Sequence, residues 1–360
     1  MFPSKPKILF LVPYPLGRAP SQRYRVESFL PLLDQVGIIY HVQPFLDDRY
    51  WRSFYTTGKF IQKAFGIIIG FARRFRIVLS GAYPYSYVFI HREAAPLGPP
   101  LLEWILVKIW RKKIIYDFDD AIWIEKTSTS NRWIGWAKSS WKVKYICSWS
   151  YRVVCGNEFL SNYALRFNSK VLIIPTVVDT DSSYPQIKEH KNKLPVVGWS
   201  GSHSTLHYLN LIIPTLQRLQ ADFEFEFLVI ADKDPQLPLS KYRFLAWDRH
   251  SEQSDLLQMD IGVMPLDSNV WSEGKCGFKL IQYFASGLPA IASSVGVNRV
   301  LIQHSKNGFL CDTPEDWYNS LRALLANVAL REEMGILGRQ KVLSQYSVKS
   351  QKSAFLSLFN

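Results

Sequence analysis

Cysteine is scarce in this chain. Its 360 residues hold only Cys147, Cys155, Cys276 and Cys311, none in C-x-x-C spacing, which argues against a disulfide framework or a structural zinc site and suits a reducing compartment. Long apolar runs are also missing: the stretch 64–72 falls well short of the roughly 20 residues that a bilayer requires, so it could lie on a membrane but not cross it. The opening residues lead straight into an apolar strand without the apolar run and small-residue cleavage site of a signal peptide, and a cytoplasmic protein is expected. Acid is absent from a whole segment. Between Asp48 and Glu93 there is no Asp or Glu, while Arg49, Arg52, Lys59, Lys63, Arg73, Arg74, Arg76 and Arg92 alternate with Tyr50, Trp51, Phe54, Tyr55, Phe60, Phe65, Phe71 and Phe75.

The net charge of +13 lies entirely in residues 1–180, the remainder being neutral. Cations interleaved with aromatic rings suit an anionic membrane surface, where rings sit at headgroup level. The alternative is a solvated helix whose aromatics face a core. Nucleic acid is not an expected partner, because no recognition motif accompanies the charge.

A chain of this length, 48% hydrophobic, can bury two ordinary cores. Residues 7–12 read as a buried strand of the parallel type, followed by a Pro/Gly loop and a helix carrying Phe29, Leu30, Leu32 and Leu33. Further strands are expected at 38–42, 87–90, 113–116, 152–155 and 170–174, with a helix over 100–110. The pattern restarts at 195–204, strand then Gly/Ser loop. A helix over 206–219, strands at 224–230 and 244–246, a helix over 252–258, strands at 261–264 and 290–292, and a helix near 317–325 follow. Strand and helix alternation in two rounds predicts an α/β protein of two Rossmann-like, doubly wound domains facing a cleft. The expected boundaries are 1–178 for a basic acceptor-binding domain, 179–338 for a donor-binding domain, and 339–360 for a C-terminal helix packing back toward the first.

The most specific segment is 275–292, Lys-Cys-Gly-Phe-Lys-Leu-Ile-Gln-Tyr-Phe-Ala-Ser-Gly-Leu-Pro-Ala-Ile-Ala. It reads as a glycine turn opening a helix that stops at Gly287 and passes through Pro289 into a strand. A helix N-terminus behind an unobstructed backbone attracts phosphate, because N–H groups and the positive dipole end converge there. The segment resembles the donor-binding helix of the retaining GT-B glycosyltransferases of family 4 (Glu-Gly-Phe-Gly, four residues, Glu-Ala-Met-Ala-Ser-Gly-Leu-Pro). The runs 260–266 and 307–310 fall in that family's order, and 175–179 stands where the family joins its domains.

The resemblance implies a metal-independent transfer of a sugar from a nucleoside diphosphate sugar to a glycan or lipid-linked acceptor, with retention and no cofactor, and the charge pattern of the first half adds an anionic membrane as a partner at the inner face. It implies that Gly277, between Cys276 and Phe278, approaches the donor diphosphate, and that Gln282 takes the place of the glutamate that accepts from the ribose. The motif's first glutamate falls at Gly274, leaving Glu273 one residue away. The Arg and Lys usual after the first strand of the donor domain are replaced by Gly201, Ser202 and His203, so the leaving-group role passes to Lys275 or Lys279. In the first domain His91 ends a strand where the family often has a histidine near the reacting sugar. Asp119 and Asp120 are expected to contact or activate the acceptor rather than hold a metal. Arg18, Arg23 and Arg25 follow the first strand and suit a phosphate-bearing acceptor. Closure would bring His91 and Asp119 to the anomeric carbon. A GT-B nucleotide-sugar epimerase and a non-catalytic carbohydrate-binding partner are the competing readings.

Overall fold

The computed structural model describes residues 5–54, 58–124 and 139–360. The chain divides into two compact units, Met1–Thr176 with Gln351–Asn360, and Val177–Ser350. The first holds strands β1 (Lys7–Val12), β2 (Ile39–Pro44), β3 (Tyr87–His91), β4 (Lys113–Phe118), β5 (Arg152–Cys155) and β6 (Val171–Ile173). The second holds β7 (Val196–Ser200), β8 (Glu226–Ala231), β9 (Tyr242–Ala246), β10 (Ile261–Met264), β11 (Ala290–Ser293) and β12 (Gly308–Cys311).

Every neighbouring pair is parallel. A parallel sheet is covered on both faces, so its inner strands are apolar along their whole length. β3, β7, β10 and β11 are buried at every residue, whereas the edge strands β2 and β9 are half open. The first sheet runs β2-β1-β3-β4-β5-β6 and the second β12-β11-β10-β7-β8-β9. In each, the strand order reverses beside the unit's first strand, at β1/β3 and at β7/β10. Such switch points leave a crevice beyond the carboxyl ends of the strands, where doubly wound sheets bind ligands. In the last segment Phe355 stacks on Phe29 with ring centroids 4.0 Å apart, and Arg152 bonds the Ser357 carbonyl.

Two sequence expectations are corrected. The helix expected over 206–219 is a 3-10 stretch, His203–Leu211, followed by helix Ile213–Asp222, because Pro214 lacks an N–H and is accommodated only in a helix's first turn. Among the cations of the acid-free segment, Arg74 is not a surface charge: it is fully buried, donating to the carbonyls of Gln43 and Val12, each at 2.7 Å. Its neighbour Arg73 reaches Asp47 at 3.2 Å.

Candidate functional site

In the first unit, side chains gather where β1, β3 and β4 end. His91, the last residue of β3, is fully buried, with Nδ1 2.7 Å from Asp117 and Nε2 2.9 Å from the Ser21 hydroxyl. Asp117 accepts at Nδ1, and Nε2 meets the Ser21 hydroxyl, which is also hydrogen-bonded to Asp119. Asp117 also pairs with Arg25, and both side chains are buried. Arg25 donates further to the Ile174 carbonyl. Two expectations change accordingly. His91 cannot touch a sugar directly, because both ring nitrogens are engaged inside the protein and only the half-buried Ser21 leads outward. Arg25 is not an acceptor contact either; its guanidinium is spent on holding Asp117.

Beyond β4, Asp119 and Asp120 both face Arg92, at 2.8 and 2.5 Å. Burial would raise the Asp119 carboxyl, but Arg92, with help from His91 and the Ser21 hydrogen bond, holds it well below the usual carboxylate range. Arg92 has φ 63°, unusual for a residue with a side chain. That backbone is fixed by its N–H to the Asp117 carbonyl at 2.7 Å and by the Tyr116 hydroxyl donating to its own carbonyl at 2.7 Å. One arginine thus shares its charge between the two aspartates. Among the described residues no group of three or more His, Cys, Asp or Glu could hold a metal ion. Arg18 points to Asp48 at 2.8 Å, and Arg23 lies over the Tyr24 ring.

Sequence reading placed Ser21 in the loop after the first strand but did not join it with Asp117 and Arg92 in one cluster.

In the second unit the crevice beyond β7 is set by Gly201. A Cβ there would come within 2.4 Å of the Trp199 ring and 2.8 Å of the Lys279 Cε. Lys279, in the first turn of helix Phe278–Ala285, holds its ammonium 4.8 Å from the Trp199 ring centroid. Burial, together with the charge of Lys275, lowers its pKa from 10.5 to about 7. The same helix is tied to the strand by Tyr283, whose hydroxyl accepts from Ser200 N–H at 3.0 Å and donates to the Val263 carbonyl at 3.3 Å. His203 bonds Asp232 beyond β8 through both its backbone N–H and its ring, and the Ser202 and Ser204 hydroxyls meet at 2.8 Å.

Residues 194–327 match the family model described as glycosyl transferases group 1. The matched segment lies within the second unit. Across the whole chain the fold is GT-B. It is similar to sucrose-phosphate synthase from Thermosynechococcus elongatus (14% identity, 99% of this chain and 98% of that one, TM-score 0.64). It is also similar to Anabaena HepE in complex with UDP and glucose (14% identity, 98% of each chain, TM-score 0.67), and to the catalytic domain of starch synthase IV from Arabidopsis thaliana bound to ADP and acarbose (13% identity, 99% of each, TM-score 0.67). No curated protein matches.

Within the matched segment Gly277 is the cap of the motif helix, with φ 66°. An added Cβ would approach the Leu301 Cδ1 to 2.3 Å as well as straining the backbone. Cys276 is buried and Phe278 half-buried. Lys275 lies over the Trp271 ring at 5.7 Å. Glu273 ends helix Val270–Glu273 and faces Arg299 at 3.6 Å. Gln282 is buried, its amide donating to the Tyr184 hydroxyl at 2.6 Å. Gln282→Leu should therefore cost about 1–3 kcal/mol of stability by leaving a buried hydroxyl one bond short, whereas Gln282→Glu, which can accept from the Tyr184 hydroxyl where the glutamine donates to it, should cost less. Urea unfolding midpoints for the two variants make the comparison.

Proposed function

We propose that the chain is a retaining, metal-independent glycosyltransferase. It would move a sugar from a nucleoside diphosphate sugar to a glycan or lipid-linked acceptor at the cytoplasmic face of a membrane, as a step in polysaccharide assembly. The observation that carries this reading is the lysine of the motif helix. Lys279 stands at the switch point of the second sheet, beside Gly201, where an added Cβ would meet the Trp199 ring, within the segment that matches the family. An ammonium held in place before the substrate arrives stabilises a departing diphosphate without reorganisation when charge develops. Gly201, Ser202, His203, Gly277 and Gln282 are the further donor-side candidates.

On the acceptor side, Ser21 is the group that would meet the incoming hydroxyl, and His91, Asp117 and Arg25 position it. A front-face displacement, in which the leaving diphosphate takes the acceptor's proton, belongs to this reading. Arg92 with Asp119 and Asp120 forms the adjoining polar wall. Ser21→Ala should lower transfer by roughly 10- to 100-fold through lost orientation while leaving nucleotide-sugar affinity unchanged, and Ser21→Thr should restore part of the rate. Equal loss of donor affinity would remove Ser21 from the acceptor side.

Nucleotide release from a panel of nucleotide sugars, measured with and without glycan and lipid-linked acceptors, tests the reading. Acceptor-dependent release is expected. Interconversion of the sugar with no release would make the chain an epimerase, and binding without either reaction a non-catalytic partner.

A further inference from the structure

Helix Phe60–Arg76 is inside out. At 3.6 residues per turn, Ile61, Ala64, Phe65, Ile68 and Ala72 fall on one face, and every one of them is exposed; Phe60, Ile61, Phe65 and Ile68 show 76%, 74%, 55% and 61% of their surface. The opposite face is made of Gly66, Gly70 and Arg74, all buried. Its glycines let the Tyr50 and Phe45 side chains lie against the backbone, where a Cβ would come within 2.8 Å of the Tyr50 Cβ and 2.6 Å of the Phe45 ring. A surface helix ordinarily turns its apolar stripe to the core and its polar side to water. This one does the reverse over about three turns, and no described residue of its own unit covers the stripe.

Charge says what would cover it. No acid lies between Asp48 and Glu93 in the sequence, and the exposed neighbours are Arg49, Arg52, Lys59 and Arg76. Arg49, Arg52 and Lys59 line a cavity of about 650 Å³ together with Asp48, Tyr50, Ser53, Gln62 and Phe65, and Asp48 is bonded to Arg18. A second copy is a poor occupant, because a two-fold interface sets the same patch against itself and would oppose these cations to their own copies. A bilayer with anionic headgroups satisfies both features at once. Acyl chains take the apolar stripe, and headgroup phosphates take the arginines and lysine around it. No helix among the described residues is long and apolar enough to cross a membrane.

We propose that helix Phe60–Arg76 docks the protein on an anionic lipid surface, lying in the interface with Ile61, Phe65 and Ile68 inserted and Arg49, Arg52 and Lys59 against the headgroups. This docking requires no turnover, so it stands or falls apart from the sugar-transfer reading. The test is flotation of the full chain with vesicles at ~0.1 M salt, where exposed charges still act over about 10 Å. Wild-type protein should float with equimolar phosphatidylglycerol and phosphatidylcholine at least about tenfold more than with phosphatidylcholine alone. Ile61→Ser, Phe65→Ser and Ile68→Ser combined should lower binding by about tenfold or more. The thermal midpoint should be unchanged, since all three side chains are exposed. Arg49→Gln, Arg52→Gln and Lys59→Gln combined should remove the preference for the anionic vesicles. Failure of the wild type to float with anionic vesicles overturns the proposal, as does equal binding by the serine variant. So does a wild-type dimer that the serine variant dissolves, which would make a second copy the occupant.

Discussion

Lys279→Ala is expected to lower turnover roughly 100-fold or more with the fold intact, as for loss of one preorganised electrostatic contact to a transition-state charge. The lysine is half-buried at a helix N-terminus, so the expectation concerns chemistry more than stability. Its protonation provides a second readout. With the pKa lowered to about 7 by burial and by Lys275, the ammonium is only partly charged in the free protein at neutral pH. A bound diphosphate favours the charged form and raises that pKa, so binding draws in a proton. The sign follows: affinity for a nucleotide sugar should be greatest below pH 7 and should weaken as pH rises through and above 7. The limit is tenfold per pH unit for one proton. Calorimetry in buffers of different ionisation enthalpy counts the proton, and Lys279→Ala should abolish both the uptake and the slope. Near-wild-type turnover in that variant would take Lys279 out of the mechanism.

Asp117→Ala is expected to be among the most destabilising single changes in the first unit, at about 3–5 kcal/mol, because it leaves the buried Arg25 guanidinium without its counter-charge and the His91 ring without its acceptor. The transition should be followed by urea unfolding. Asp117→Asn keeps the shape and one acceptor oxygen, so it should cost less stability but disturb the ring tautomer and with it the contact between His91 and Ser21. A replacement of Arg25 and Asp117 together by apolar residues of similar volume should recover most of the loss. A cost below about 1 kcal/mol for Asp117→Ala would mean that water or a neighbouring group compensates Arg25, and the positioning role of the pair would fall.

Part of this protein is readable from its residues in order. Short apolar strands alternating with helices, twice over, determine a doubly wound α/β chain with two sheets, because a strand buried on both faces has no polar alternation and must be parallel. The turn at Gly277 and the stop at Gly287 are equally local, since each requires a positive φ that glycine adopts freely, 66° and 71° here. What tertiary structure alone decided is which side of an element is covered and which charges meet. Periodicity shows that the helix from Phe60 has an apolar face, but only the positions of Tyr50 and Phe45 against Gly66 and Gly70 turn that face to solvent. Arg25, Arg74 and Arg92 look alike in sequence as basic residues of a basic segment. Yet Arg25 is buried against Asp117, 92 residues away, Arg74 is buried on the carbonyls of β1 and β2, and Arg92 clasps two aspartates. Those pairings depend on the order in which strands cross over, and crossover order is set by the packing of helices on the sheet, which no short stretch of sequence records.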